Sequence, residues 1–307
     1  VPSSPHWADI GELGFVSGMR FLFWVYRCLG PRAFTVAVQP AVLYYFLTNR
    51  IARTSSREFL QRLDGSTGVE DVSWKRVYSH LNTFAQLAVD KLGVWAHPAS
   101  FDPVKFPNRK ILLDQLDTGR GAVLLGAHLG NMEICRCFSR STAQLKLNIL
   151  VHTGHADRFN LLLRKLHLNC ELELIEVSQL SPATAIRLSA GIERGEFVVI
   201  LADRIPVGSL GRYREIEFLG AMAPFPEGPF ILASLLKCPV YTLFCTRGGA
   251  GYEIRCEKFA DQVFLPRRNR DEALEAYISR FVTILEKNLR LTPLQWSNFY
   301  HFWDQTI

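Results

Sequence analysis

The residues best equipped for chemistry lie in the run Gly121-Ala-Val-Leu-Leu-Gly-Ala-His128-Leu-Gly-Asn-Met-Glu133, where a glutamate follows a histidine by five positions. An imidazole oriented by a carboxylate can take a proton from an alcohol. The uncharged stretch Ala122 to Leu125 reads as a buried strand, and Gly126 and Ala127 remove bulk where it would end. Asn131 reads as the N-cap of a following helix, with Glu133 in its first turn. His128 would then sit on a loop at the carboxyl end of a strand, the place where open α/β sheets bind ligands. A structural histidine, with Glu133 merely complementing a helix N-terminus, fits the same local pattern.

The surrounding chain must hold that loop in place. From residue 109 onward helices and strands alternate. Helices are expected at Arg109 to Asp117, to about Arg140 after the histidine, Asp157 to Leu168, Pro182 to Arg194, Glu227 to Leu236 and Asp271 to Leu289. Strands are expected at Lys146 to Val151, Glu171 to Val177, Phe197 to Ala202, near Ile216 to Phe218, Val240 to Cys245 and Tyr252 to Lys258. This alternation predicts an α/β fold, a mostly parallel sheet flanked by helices on both faces. A long helix from about Val69 to Trp95 precedes it, with an apolar stripe that includes Trp74, Tyr78, Leu81 and Leu92, and with His80 as a structural residue.

Residues 1–63 read differently from residues 64–307, the α/β domain. Leu13 to Leu29 is apolar apart from Arg20 and Arg27, and Ala33 to Leu47 is uncharged with Pro40 in its middle, where a kink is expected. Arg50, Arg53, Arg57 and Arg62 follow. Apolar helices bordered by arginines suit a membrane-associating segment lying in the lipid interface; a helical layer on an ordinary domain is the alternative.

With 307 residues, 48% hydrophobic and 21% charged, the chain is globular, and its net charge of +6 favours an anionic partner. The 21 Phe, 9 Tyr and 6 Trp follow no nucleic-acid module, and none is expected as partner. Seven Cys without a C-x-x-C pair read as reduced, mostly buried thiols, and no metal site is expected. Gly-x-Ser-x-Gly, Walker A, Gly-x-Gly-x-x-Gly and His-Glu-x-x-His are all absent, which demotes serine hydrolases, nucleotide hydrolases, dinucleotide enzymes and zincins. Polar residues instead mark successive strand ends: His128, then His152 with Asn160 and Arg164, then Asp203-Arg204, then Arg247.

This ordered series resembles the lysophospholipid acyltransferase superfamily, in particular the lipid A late acyltransferases, over approximately Leu13 to Leu289. His128-Leu-Gly-Asn-Met-Glu133 matches its His, four residues, acidic motif. Asn160 and Arg164 match the stretch after the next strand, and Val199-Ile-Leu-Ala-Asp203 matches a segment that usually continues Asp-Gln, so Arg204 is a departure. Glu217-Phe-Leu-Gly220, with Leu219 a second departure, and Ala223-Pro-Phe-Pro-Glu-Gly228 are similar to later motifs, as is Lys237-Cys-Pro-Val240 with Arg247. The departures fit a divergent branch, similar to acyltransferases associated with aryl polyene and xanthomonadin-type pigment lipids.

The resemblance implies transfer of an acyl group from an acyl carrier protein or coenzyme A thioester to a lipid hydroxyl, with no resident cofactor, at the cytoplasmic face of a bacterial inner membrane. His128 would be the general base and Glu133 would fix its tautomer. The oxyanion would be met by backbone N–H groups at Gly130-Asn131 or by a nearby arginine. Asn131, Asn160, Arg164, Asp203, Arg204 and Arg247 are the candidate substrate-binding residues. For Arg164 and Arg204 an ion pair with Asp203 or another acid is the competing reading. Phe218, Phe225 and Phe230 are candidates for an acyl slot or for core. Arg267, Arg268 and Arg270 could dock a carrier protein or simply form a solvated face. A glycerophospholipid acyltransferase and a catalytically silent lipid-binding protein remain alternatives.

Overall fold

A computed structural model describes residues 15–65, 72–96, 104–135, 146–151, 172–176, 182–205, 212–249 and 251–304. Helices α1 (Phe15–Thr48), α2 (Arg50–Leu63), α3 (Trp74–Ala96) and α4 (Arg109–Asp117) come first. Strands β1 (Val123–Gly126), β2 (Leu147–Val151) and β3 (Leu172–Glu176) follow, then α5 (Pro182–Glu193) and β4 (Phe197–Leu201). The hairpin β5 (Tyr213–Phe218) and β6 (Ala221–Pro226) leads into α6 (Gly228–Leu236), β7 (Val240–Gly248), β8 (Gly251–Ala260) and α7 (Arg270–Leu291).

The expected mixed α/β architecture with a mostly parallel sheet is present. Six strands run in the order β3-β2-β4-β1-β7-β8, and β8 alone is antiparallel to its neighbour. Central strands buried on both faces need continuous apolar sequence, which Val123–Leu125 and Phe197–Leu201 supply. Alternate residues enter two separate cores: Val123, Leu125, Val198 and Ile200 face one, Leu124, Phe197 and Val199 the other. The first core takes in α2, α5, α6 and α7; the second is closed by Leu87 and Val94 of α3 and Leu112 of α4. Thus α2, although it lies within residues 1–63, gives Phe59, Leu60 and Leu63 to the main core.

Two expectations change. β5 does not join the parallel sheet; it pairs with β6 in a two-stranded hairpin of its own. Leu219 and Gly220 both take positive φ (50° and 78°) in its turn, a backbone that matches the twist of the two strands. In α1 the break falls at Gly30 (φ 81°, ψ 178°), and the helix continues through Pro40, which faces outward. Phe34, Val38 and Val42 of α1 pack with Leu81 and Val89 of α3, leaving Val36, Leu43, Tyr44 and Leu47 exposed on another face. Among the described residues no helix is long and apolar enough to cross a membrane.

After α7 the chain returns along the carboxyl ends of the strands as an irregular strap, residues 292–304. It is rich in aromatic residues: Trp296, Phe302 and Trp303 pack edge-to-face or stacked with Phe218 and Phe225. Phe218, Phe225 and Phe230 are fully buried core, not the walls of an open slot. His80 of α3 is the anchor on the other side. Its Nε2–H donates to the Trp296 carbonyl (2.7 Å), and its Nδ1 lies 2.8 Å from the Ser56 hydroxyl of α2. The structural role expected of His80 follows from these bonds.

Burial holds the His80 imidazole neutral, with its pKa lowered to about 4. An unfolded chain takes up that proton near pH 6.5, so folding stability is fully present above 6.5 and falls as pH drops to about 4. The expected loss from this one group is about 3 kcal/mol. Urea unfolding at pH 7 and pH 4.5, compared with a His80→Asn protein that lacks the titration, measures it.

Candidate active site

The site follows from the pairing of the two central strands. β1 and β4 are parallel with Gly126 opposite Leu201. Ala202 N–H donates to the Gly126 carbonyl (2.9 Å), which carries the alignment past the strand ends. Two residues further on, His128 stands beside Asp203. The imidazole Nδ1–H donates to Asp203 Oδ1 (2.8 Å), and the His128 backbone N–H donates to Asp203 Oδ2 (3.0 Å). The Trp296 indole N–H donates to that second oxygen as well (3.0 Å).

Asp203 is wholly buried. Burial alone would raise its pKa, but the imidazole, the Arg204 guanidinium and the indole hold the carboxyl far below the usual range. An ionised carboxylate only accepts hydrogen bonds, so it fixes the proton of neutral His128 on Nδ1 and leaves Nε2 with its lone pair. The His128 side chain is 34% exposed, and among the described residues Nε2 has no hydrogen-bond partner. Desolvation first, then the positive charge of Arg204, lowers the imidazole pKa; Asp203 works in the opposite direction. The result is a free base at neutral pH with one open nitrogen.

This geometry corrects the expected pairing. Asp203, not Glu133, orients the imidazole. Glu133 lies in a single 3-10 turn, Met132–Ile134, and its carboxylate faces Lys91 of α3 at 3.4 Å. The helix expected to run on to Arg140 lies, after Cys135, outside the described residues. Asp203 has no surface for a substrate contact. Asn131 is buried too: its side chain caps the 3-10 turn through the Glu133 N–H (3.2 Å) and donates to the Leu87 carbonyl (3.4 Å).

The oxyanion donors expected at Gly130-Asn131 are also committed elsewhere. Gly130 N–H donates to the Gln295 carbonyl (2.9 Å) and Asn131 N–H to the Cys245 carbonyl (2.8 Å). Ser297 N–H donates to the His128 carbonyl (2.9 Å), so the loop is stitched to β7 on one side and to the strap on the other. Gln295 completes the seam by exchanging two hydrogen bonds with the Arg247 backbone (2.7 and 2.6 Å).

The arginines fare differently. Arg204 does not pair with Asp203 by direct contact. Its guanidinium lies over the Tyr300 ring (5.6 Å) and donates to the Ser297 carbonyl, while its Nε is buried without a hydrogen-bond partner among the described residues. Arg247 keeps an about half-exposed guanidinium at the rim, with Asp90 at 3.3 Å and Gln86 at 3.4 Å. Burial raises the Asp90 carboxyl pKa, and the Tyr252 hydroxyl donates to it (2.6 Å). Asn160, Arg164 and His152 lie outside the described residues. Exposed Arg267, Arg268 and Arg270 follow the end of β8. Ala260, the last residue of that strand, pairs with Val240 at the amino end of β7, so the cluster lies at the end of the sheet away from His128.

A family model described as bacterial lipid A biosynthesis acyltransferase matches residues 81–305. The chain belongs to this family. No curated protein matches the chain. The protein is therefore an acyltransferase, and the match spans His128, Asp203 and the whole strap through Trp303. It begins within α3, so α1 and α2 lie outside it. Sequence reasoning missed the strap residues Gln295, Trp296, Ser297 and Tyr300, and Gln86, Asp90 and Lys91 on α3. The run Trp296-Ser-Asn-Phe-Tyr-His-Phe-Trp303, five aromatics in eight positions, was the available signal for the strap.

Proposed function

We propose that the protein is a membrane-surface O-acyltransferase that moves a fatty acyl group from a thioester to a hydroxyl of a lipid or glycolipid. The observation that carries this reading is the imidazole whose Nδ1 is held by a buried carboxylate while Nε2 stays open. In the proposed reaction Nε2 removes the acceptor hydroxyl proton as the oxygen bonds to the thioester carbonyl carbon. The tetrahedral oxyanion then collapses, the C–S bond breaks, and the leaving thiolate takes the proton back from His128. The protein's own residues suffice for every transfer. Acyl carrier protein or coenzyme A is the proposed donor.

Arg204 is the proposed electrostatic partner of the oxyanion. Its charge is close enough to depress the pKa of both His128 and Asp203, so it acts across the site without a direct contact from its buried Nε. Arg204→Met is expected to lower kcat by about tenfold to a hundredfold. In the native enzyme the acid limb of kcat/KM is expected below the ordinary histidine value of 6.5, since His128 is depressed. Removing the Arg204 charge moves that limb to higher pH, because a positive neighbour no longer opposes protonation. Unchanged kcat and limb in the variant would remove Arg204 from the mechanism. Arg247, and Asn160 with Arg164, remain proposed contacts for an anionic part of donor or acceptor.

Residues 1–63 are the proposed membrane-associating segment, at the cytoplasmic face of the inner membrane. Val36, Leu43, Tyr44 and Leu47 form an exposed apolar face on α1, and Arg50, Arg53 and Arg57 follow immediately. Leu43→Asp with Leu47→Asp is expected to abolish flotation with anionic phospholipid vesicles while leaving the folded content unchanged. Flotation equal to that of the native protein would refute this attachment.

The acceptor is tested directly by presenting acyl carrier protein and coenzyme A thioesters with lysophospholipid, glycolipid and phenolic acceptors. Transfer to none of them would overturn the proposed reaction. The departures Arg204 and Leu219 support a divergent branch, and preferential acylation of the phenolic acceptor is the result expected for an aryl polyene-type enzyme.

A further inference from the structure

We propose that Trp296 is a positioning residue for the base: its indole N–H locks the Asp203 carboxylate in the rotamer that presents Oδ1 to His128. The inference rests on His128 acting as the base. Asp203 Oδ2 accepts two N–H bonds, from the His128 backbone and from Trp296 (both 3.0 Å), leaving Oδ1 to the imidazole (2.8 Å). The first donor belongs to the loop that must be oriented and cannot fix the carboxylate independently of it. Trp296 can, because it is held on every side.

The indole is wholly buried. Phe59, Phe218 and Phe302 meet its ring at centroid separations of 4.9, 5.6 and 5.0 Å, with interplanar angles of 61–77°. Its carbonyl receives the His80 N–H, and His80 is in turn hydrogen-bonded to Ser56. Thus α2, α3 and the hairpin all brace one N–H that points at the carboxylate. A buried indole N–H needs an acceptor in any case; here that acceptor is the carboxylate that also holds His128, and this choice couples the packed ring to the base.

The role predicts a measurable electrostatic effect as well as a geometric one. Without the indole N–H, negative charge concentrates on the remaining accepting contacts, the imidazolium is stabilised, and His128 becomes a stronger base. Trp296→Phe keeps an aromatic ring and deletes the donor. Trp303→Phe is the control: it also shrinks a ring in this cluster, but its lost N–H bond is to the Phe218 carbonyl (3.1 Å), not to Asp203.

The test measures the His128 titration by imidazole NMR and the pH profile of kcat/KM in the native protein and both variants. Trp296→Phe is expected to raise the His128 midpoint and the acid limb by about half a pH unit and to lower kcat about tenfold. Trp303→Phe is expected to leave both midpoints in place. Coincident midpoints in the native and Trp296→Phe proteins overturn the proposal. Should Trp296→Phe not fold, the native protein carries the test: the Trp296 indole N–H resonance is expected to titrate with the His128 midpoint, and a resonance flat through that range overturns it. His128→Ala with undiminished transfer would sink the base assignment itself. An inactive His128→Ala protein combined with unmoved Trp296→Phe midpoints rejects only the role of Trp296.

Discussion

Acyl transfer by a His128→Ala protein is expected to fall about a thousandfold or more, with the fold retained. The side chain is a third exposed, so the space left by its removal opens toward solvent. Asp203→Asn is the sharper version of the same experiment. Two N–H groups already point at Oδ2, which forces the amide oxygen of an asparagine to that side. The amide NH2 must then face Nδ1, where it can only donate. That drives the imidazole proton to Nε2 and removes the base without removing the ring. A loss of about a hundredfold or more in kcat is expected, with little change in KM. Near-native turnover by Asp203→Asn, in protein shown to be folded by circular dichroism, would refute the tautomer argument.

Gly130→Ala is expected to disrupt the fold at the site itself. Gly130 takes φ +72°, and a β-carbon there would lie 2.0 Å from the Cys245 carbonyl oxygen. Neither atom is at the end of a flexible side chain, so the loop would have to leave β7. The bonds from Gly130 to Gln295 and from Asn131 to Cys245 would go with it. A destabilisation of about 3 kcal/mol or more is expected, together with loss of activity. Gly220→Ala isolates the conformational part, because Gly220 has φ +78° and an added methyl group would meet nothing within 4 Å. That control is expected to cost about 1–2 kcal/mol and to leave turnover intact. Equal thermal stability of the two variants would show that the approach to Cys245 carries no weight.

The sheet was legible because its central strands are short apolar runs with turn residues at both ends, and the helices between them keep a helical period. His128 was legible for the same reason: a polar residue directly after Val123–Gly126 has to emerge at a strand end. Its partner was harder to see. Glu133 is five positions away and drew the assignment, whereas Asp203 is 75 positions away and becomes a neighbour through the register of β1 with β4. A sequence displays local spacing; register is a property of the paired strands. The hairpin of β5 and β6 escaped because Ala221–Pro226 contains two prolines, which argue against a strand except at an edge. The strap escaped because it has no period at all. Its position is set by single hydrogen bonds to the loop and by ring packing, neither of which leaves a repeating pattern.

The strap also sets an order of events during synthesis. The His128 loop and Asp203 leave the ribosome well before Gln295, Trp296 and Ser297, yet those three supply bonds to the loop, to β7 and to the carboxylate. The sheet can form on a nascent chain while its base is still unbraced. Competence therefore arrives only with the strap, so a nascent chain that stops short of Gln295 would hold the base without its clamp.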